Sequence, residues 1–192
     1  EEKLRGSRGV RTTEADARMG GKELRRIVFS EQEISRRVRD MGREIAAAYP
    51  PQDELLVLGL LKGSFIFIAD LVRQIPRPLH VDFLVVSSYG AGTVSSGEVR
   101  LVYDAKAELA GRHVLLVEDI IDSGTTINRL VPVLEERGPK SLEVCALLHK
   151  RVAPYLVKEP RWVGFEAPKE FLIGYGLDYS EHYRNLPYIA SL

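Results

Sequence analysis

Short apolar runs alternate along this chain with segments in which apolar residues recur at every third or fourth position. The runs are rich in Val, Leu and Ile, which is typical of buried strands, and the spaced segments are typical of amphipathic helices. Alternating strands and helices predict an α/β fold with an open, mostly parallel twisted sheet flanked by helices. The predicted strands are residues 27–29, 54–61, 79–87, 99–103, 141–148 and 162–165, and one strand that begins at Val114 and ends near Glu118.

The three predicted helices lie between these strands. Ser30 and Glu33 form a capping box that begins the first helix, and its apolar stripe continues to Ala48. The second covers residues 65–75, and the third has its stripe within residues 127–134. Pro132 lies too deep in the third helix for the first turn, so we expect a kink or one lost hydrogen bond there.

The first 22 residues are polar, charged and dotted with glycine, without a sustained period. Such a segment cannot bury enough apolar surface to order itself, so we predict a disordered tail at residues 1–22 and a single domain at residues 23–192. With 27 basic and 27 acidic residues the net charge is zero, and no global field draws the chain to nucleic acid or to a membrane. Any phosphate binding must therefore be local.

No apolar stretch has the length of a membrane span, and no signal peptide is recognisable, so we expect a cytoplasmic protein. The single cysteine, Cys145, lies inside an apolar run and is expected in the core.

Residues 114–128 carry the strongest chemical signal, reading Val-Leu-Leu-Val-Glu-Asp-Ile-Ile-Asp-Ser-Gly-Thr-Thr-Ile-Asn. After the apolar run, Ser123, Gly124, Thr125 and Thr126 offer backbone N–H groups and hydroxyls where a helix begins. That is a suitable cradle for a phosphate group, because the helix dipole favours negative charge there.

Three carboxylates precede or adjoin this cradle. Glu118 and Asp119, at the strand end, would repel a bare phosphate but suit ribose hydroxyls or a divalent cation such as Mg²⁺. Asp122 faces the same crevice and is placed for proton transfer. The chain has neither a Walker A motif nor Gly-x-Gly-x-x-Gly, which disfavours P-loop and dinucleotide-binding proteins. The alternative to a ligand site is that residues 114–128 form only a buried strand, a solvated acidic loop and a capped helix.

Two further loops have compositions that suit a site. Lys62, Gly63 and Ser64 lie between a strand and a helix and form either a second anion-binding edge or a simple turn. Residues 88–97 are small and glycine-rich, which is compatible with a hairpin excursion or with a lid that closes over a site.

The stretch Val-Glu-Asp-Ile-Ile-Asp-Ser-Gly-Thr-Thr resembles the phosphoribosyl diphosphate signature of the type I phosphoribosyltransferases, in the form found in the hypoxanthine-guanine phosphoribosyltransferases. The resemblance implies that the Lys62–Gly63 loop contacts pyrophosphate and that the peptide bond between Leu61 and Lys62 is cis. It also implies that Ser88 and Tyr89 begin a mobile loop that folds over the active site.

The same resemblance extends to the C-terminus. Lys150 matches the lysine that hydrogen-bonds O6 of a 6-oxopurine, and Phe171 and Leu172 match residues that stack on the base and supply backbone contacts. Asp178 would hold a second metal, and Arg184 would contact pyrophosphate. These residues belong to a small hood, expected at about residues 23–30 and 160–192.

The activity implied is Mg²⁺-dependent transfer of 5-phosphoribosyl from phosphoribosyl diphosphate to N9 of hypoxanthine or guanine, releasing pyrophosphate. Asp122 would be the catalytic base, and Glu118, Asp119 and Asp178 the metal ligands. The resemblance also implies a homodimer or homotetramer. The alternatives left open are a xanthine-preferring transferase and a non-catalytic, nucleotide-sensing regulator of the same fold.

Overall fold

A computed structural model describes residues 16–88 and 99–192 of the chain. Its helices are α1 (Glu31–Ala47), α2 (Phe65–Arg73) and α3 (Thr125–Glu135). Its strands, in chain order, are β1 (Arg26–Phe29), β2 (Leu55–Leu61), β3 (Leu79–Ser88), β4 (Val99–Tyr103), β5 (His113–Ile121), β6 (Ser141–His149), β7 (Trp162–Glu166), β8 (Leu172–Ile173) and β9 (Ile189–Ser191).

The main sheet has the strand order β4-β3-β2-β5-β6-β7. The β2, β3, β5, β6 and β7 strands run parallel, and β4 pairs antiparallel with β3 at the edge. The predicted α/β fold with a mostly parallel sheet is confirmed. Because parallel strands end at one edge, the residues that follow β2, β5 and β6 lie along the same side of the molecule.

Both faces of the sheet are covered, as the apolar runs predict. Leu55 and Val57 pack with the residues of α1 and α2, whereas Leu56 and Leu58 pack with those of α3. Successive strand residues point to opposite faces, so a strand buried on both sides must be apolar at every position. Cys145 lies in this core, and burial raises the pKa of its thiol above the ordinary range.

The predicted capping box begins α1. Ser30 Oγ accepts a hydrogen bond of 3.1 Å from the Glu33 amide, and the Glu33 carboxylate accepts one of 2.8 Å from the Ser30 amide. These bonds satisfy amides that have no partner within the helix. Pro132 lies inside α3, and the helix continues through it. The proline nitrogen has no proton to donate, so the cost is one helical hydrogen bond.

A second, antiparallel sheet joins the two ends of the described chain in the order β1-β9-β8. Residues 16–22, assigned to the disordered tail by their composition, pack against it instead. Met19 is buried in a cluster that includes Ile173 and Leu186, and the Tyr188 hydroxyl donates to Asp16 at 2.7 Å. The sequence does not predict this packing, because the segment buries one large apolar residue, Met19, and has no periodic pattern. No described helix is both long enough and apolar enough to cross a membrane.

Candidate active site

The end of β5 places two adjacent carboxylates at the edge where the parallel strands end. Glu118 is buried, and its Oε1 accepts a 3.2 Å hydrogen bond from the Asp119 amide. The Asp119 carboxylate accepts one of 2.7 Å from the Ile120 amide. Burial raises the pKa of Glu118 well above its ordinary value, and the charge of Asp119 raises it further. No positively charged side chain of the described residues lowers this pKa.

A divalent cation fits the chemistry of this pair. Among residues 16–88 and 99–192 the structure holds no cluster of three or more His, Cys, Asp or Glu side chains suited to a metal ion. Mg²⁺ is commonly bound by one or two carboxylates, with water and substrate phosphates as its remaining ligands. Glu118 and Asp119 are such a pair, whereas a metal that needs a complete protein cage would not fit. Asp178, also predicted to be a metal ligand, does not form a cluster with Glu118 and Asp119 in the described part of the chain.

The loop after β2 lies directly against these carboxylates. The peptide bond between Leu61 and Lys62 is cis, as the resemblance implies. A Cβ atom added at Gly63 would collide with the Asp119 carboxylate, and one added at Gly176 would collide with the Gly63 carbonyl. The loop is thus in close contact with the β5 end on one side and with the segment before Asp178 on the other.

The phosphate cradle predicted at residues 123–126 forms the start of α3. Gly124 precedes the helix with φ +82° and, as the N-cap residue, has no side chain that could bond the first amides; the Thr125 amide makes only a long contact of 3.5 Å to Ser123 Oγ. A Cβ atom at Gly124 would lie 2.6 Å from Leu156 Cδ2. Both this close approach and the positive φ therefore favour glycine over a residue with a side chain. Ser123 Oγ lies 3.0 Å from Thr125 Oγ1. Backbone amides and hydroxyls at a helix start can bind an anion. Ser123, Gly124 and Thr125 line a small cavity together with Glu118, Asp122 and Thr126.

Asp122 and Lys150 form an ion pair in which Lys150 Nζ donates to Asp122 Oδ2 at 3.2 Å. Lys150 follows β6, and its amide donates to the Ile121 carbonyl at 3.0 Å, which fixes the two strand ends side by side. The Lys150 side chain is 13% exposed and that of Asp122 is 57% exposed. The Asp122 carboxylate therefore faces solvent, and the Lys150 ammonium group beside it is largely shielded.

Phe171 and Leu172 differ in exposure. Phe171 is 53% exposed, and its ring meets that of Tyr179 edge-on, with ring centroids 5.6 Å apart. A phenylalanine is more often a core residue, but this one is available for stacking. Leu172 is buried in β8.

Arg184 lies at the opposite end of the same region. Its Nη1 donates to the Gly176 carbonyl at 2.6 Å, and its Nη2 lies 3.5 Å from Asp178 and 3.3 Å from Glu181. Glu181 also pairs with Lys62 at 3.0 Å. Sequence reasoning did not single out Glu181, and its position three residues after Asp178 gave no signal of this contact.

Ser88 ends β3, at the same edge of the sheet as the other site residues. Tyr89 and the predicted lid that follows it lie outside the described residues. The structure thus brings the predicted residues of the β2, β5 and β6 loops to one edge.

Comparison with known proteins gives consistent matches. The model of the phosphoribosyl transferase domain matches residues 27–180. A hypoxanthine-guanine phosphoribosyltransferase of Dictyostelium discoideum is 43% identical over 171 residues, covering 88% of this chain and 95% of that protein. A crystal structure of a hypoxanthine-guanine phosphoribosyltransferase from Bacillus anthracis matches with a TM-score of 0.83 at 39% identity, covering 88% of this chain and 99% of the other.

One group of relatives is much longer. The bifunctional protein TilS/HprT of Listeria innocua is 46% identical over 170 residues, which are 88% of this chain but 26% of that protein. The chain spans about a quarter of the length of such relatives.

Proposed function

The chain belongs to the phosphoribosyltransferase family, and from this membership we propose that it is a purine salvage enzyme of the hypoxanthine-guanine type. It transfers 5-phosphoribosyl from phosphoribosyl diphosphate to N9 of hypoxanthine or guanine, giving IMP or GMP and pyrophosphate. The observation that carries the proposal is the meeting, at one sheet edge, of the Glu118–Asp119 pair, the start of α3 with its glycine N-cap and the Asp122–Lys150 pair.

The sugar phosphate binds across the end of β5. Amides and hydroxyls of Ser123, Gly124, Thr125 and Thr126 hold the 5′-phosphate, since the glycine at the N-cap leaves the helix start open to an anion. Glu118 and Asp119 accept hydrogen bonds from the ribose hydroxyls. As the bond from C1 to pyrophosphate breaks, positive charge develops on the sugar, and the two carboxylates lie on the side where that charge is stabilised.

The purine binds beside Asp122 and Lys150. Lys150 donates from its ammonium group to O6 of the base, and Asp122 accepts the proton from N7 as N9 attacks C1. An ammonium group cannot accept a hydrogen bond from the 6-amino group of adenine, so this end of the site disfavours adenine. Phe171 stacks on the base, and the backbone at Leu172 contacts its edge; the exposure of Phe171 supports that role.

Pyrophosphate, the leaving group, lies between the β2 loop and the C-terminal segment. Lys62 and Arg184 supply positive charge, and the amide of Gly63 supplies a donor. Mg²⁺ is the cofactor, held by Glu118 and Asp119 and, in a second position, by Asp178; when bound it offsets the negative charge of the pyrophosphate oxygens.

The remaining parts of the proposal concern the whole protein. The small sheet of β1, β8 and β9 is the hood over the base, within the single domain predicted for residues 23–192, against which residues 16–22 also pack. Ser88 and Tyr89 begin the lid. The protein is cytoplasmic and acts as a homodimer or homotetramer, without a nucleic-acid or membrane partner. The relatives are named as enzymes, which gives no support to a non-catalytic regulator.

One assay tests the activity and the base preference together. The protein is mixed with Mg²⁺, phosphoribosyl diphosphate and one of hypoxanthine, guanine, xanthine or adenine, and nucleotide and pyrophosphate are measured. We expect product with hypoxanthine or guanine and none with adenine. Preferred turnover of xanthine would change the substrate assignment, and binding of the donor without turnover of any base would identify a regulator.

A further inference from the structure

A glutamate with no part in the proposed reaction lies between the two cations assigned to pyrophosphate. Lys62 Nζ donates to Glu181 Oε2 at 3.0 Å, and Arg184 Nη2 donates to Glu181 Oε1 at 3.3 Å. Each oxygen of this carboxylate therefore contacts a different cation. A phosphoryl group would present oxygens of the same charge sign to the same donors, so Glu181 and pyrophosphate compete for them.

We propose that Glu181 occupies, in the free protein, the place of a phosphoryl group of pyrophosphate, and that its carboxylate must leave Lys62 and Arg184 when pyrophosphate binds. Glu181 is then a positioning residue that orients both cations in the empty site and weakens affinity for the leaving group. The inference rests on the proposed function, because that function assigns the two cations to pyrophosphate.

The backbone around Glu181 holds its side chain towards the cations. Ser180, Glu181 and Tyr183 have φ values of 50°, 66° and 73°, in the left-handed region that residues other than glycine seldom adopt. The Glu181 amide donates to Asp178 Oδ2 at 2.8 Å, which fixes this turn. Such conformations persist where the surrounding structure imposes them, so the backbone of the turn that carries Glu181 is held in place while its exposed side chain can move.

Arg184 retains donor capacity that one carboxylate does not use. Its Nη1 is committed to the Gly176 carbonyl, and its Nε is buried without a hydrogen-bond partner in the described part of the chain. A guanidinium group has five N–H donors, and pyrophosphate has more acceptor oxygens than a carboxylate. Because Nε is buried, pyrophosphate reaches Arg184 through its terminal nitrogens, where a second phosphoryl oxygen can accept a bond that the single Glu181 oxygen does not.

The competing contact is weak enough to be displaced. The Lys62 and Glu181 side chains are 65% and 62% exposed, and an ion pair between such exposed groups contributes little. Arg184 is less exposed, but its contact with Glu181 is the longer one, at 3.3 Å. Hydrogen bonding from Lys62 lowers the pKa of Glu181, so the carboxylate is charged at neutral pH. The contact thus tunes the affinity for pyrophosphate without closing the site.

The test is titration calorimetry of inorganic pyrophosphate into the full chain with Mg²⁺, comparing wild type with Glu181→Gln and Glu181→Asp. Both variants should bind pyrophosphate about two- to tenfold more tightly, since each loses contacts with Lys62 and Arg184 that compete with it. Affinity for IMP, which contains no pyrophosphate, should not change. Glu44→Gln is the matched control, because Glu44 forms a 3.0 Å ion pair with Arg37 on α1.

Glu181→Asp separates direct competition from long-range charge. Aspartate keeps the negative charge, but from the same backbone it is one methylene too short to contact both cations. Tighter binding in Glu181→Gln alone would show a general charge effect and overturn the inference. Unchanged or weaker binding in both variants, or an equal change in IMP affinity, would also overturn it. A wild-type protein that binds no pyrophosphate would instead overturn the proposed function, and the role of Glu181 with it.

Discussion

Replacing Glu118 by glutamine should stabilise the unliganded protein while removing its affinity for the donor. Glu118 is buried beside Asp119, and no positive side chain accompanies the pair among its hydrogen-bond partners in the described residues. A buried charged group left without compensation costs about 1 to 3 kcal/mol or more. Glutamine has nearly the same shape without the charge, so the free energy of unfolding should rise by about that amount.

The pH dependence gives a second, independent measure. Burial raises the pKa of Glu118 above the ordinary glutamate value of 4.5. Between 4.5 and the raised pKa the folded protein binds a proton that the unfolded chain has lost, so stability falls as pH rises through this window. Because glutamine does not titrate, the Glu118→Gln variant does not lose stability in this way as the pH rises. The difference between variant and wild type should therefore be absent at low pH and largest at pH 7 to 8.

Thermal unfolding without ligand measures both effects. For a chain of this size, about 1 kcal/mol shifts the melting temperature by about 2 to 4 °C, so we expect Glu118→Gln to melt about 2 to 12 °C higher at pH 7.5. Glu108→Gln is the matched control, because Glu108 is exposed, and it should not shift. Adding Mg²⁺ and phosphoribosyl diphosphate should stabilise wild type and leave the variant almost unaffected. A variant that melts at or below the wild-type temperature at pH 7.5 would refute the reasoning.

Three further changes test other parts of the site. Asp122→Asn should lower turnover about 100- to 10,000-fold with little change in donor affinity, measured by steady-state kinetics; unchanged turnover would exclude it as the base. Lys150→Met removes a charge-assisted hydrogen bond worth about 1.5 to 3 kcal/mol, so KM for hypoxanthine should rise about 10- to 150-fold while donor KM stays constant. Gly124→Ala forces alanine to φ +82° against Leu156, and should cost about 1 to 2 kcal/mol and weaken donor binding; wild-type melting and donor affinity would contradict this.

Local patterns predicted the elements that depend on neighbouring residues. The capping box of Ser30 and Glu33 and the stripe of α1 need only residues within a few turns of one another. The stretch from Val114 to Asn128 likewise contains its own strand, carboxylates and helix start. The structure confirms the strand and the helix start, but β5 continues to Ile121 and not only to the predicted end near Glu118, so Glu118 and Asp119 lie within the strand, close to its end. Parallel pairing then follows, because alternating strands and helices return each strand in the same direction.

The small sheet could not be predicted in the same way. Its β1 strand pairs with β9, and Arg26 lies opposite Ser191 at the far end of the chain. The β8 and β9 strands have two and three residues, too few to show a period. The packing of Met19 against this sheet has the same origin, since a single buried residue leaves no pattern in the sequence.

By itself, then, the sequence determined the succession of strands and helices, the main parallel sheet, and the chemical groups that follow its strands. These are local properties, fixed by the spacing of residues along the chain. The tertiary structure alone decided which side chains meet: Lys150 with Asp122, 28 residues apart, and Lys62 with Glu181, 119 residues apart. Those contacts depend on strand register and on how separate loops pack, and neither leaves a periodic signal near the residues concerned.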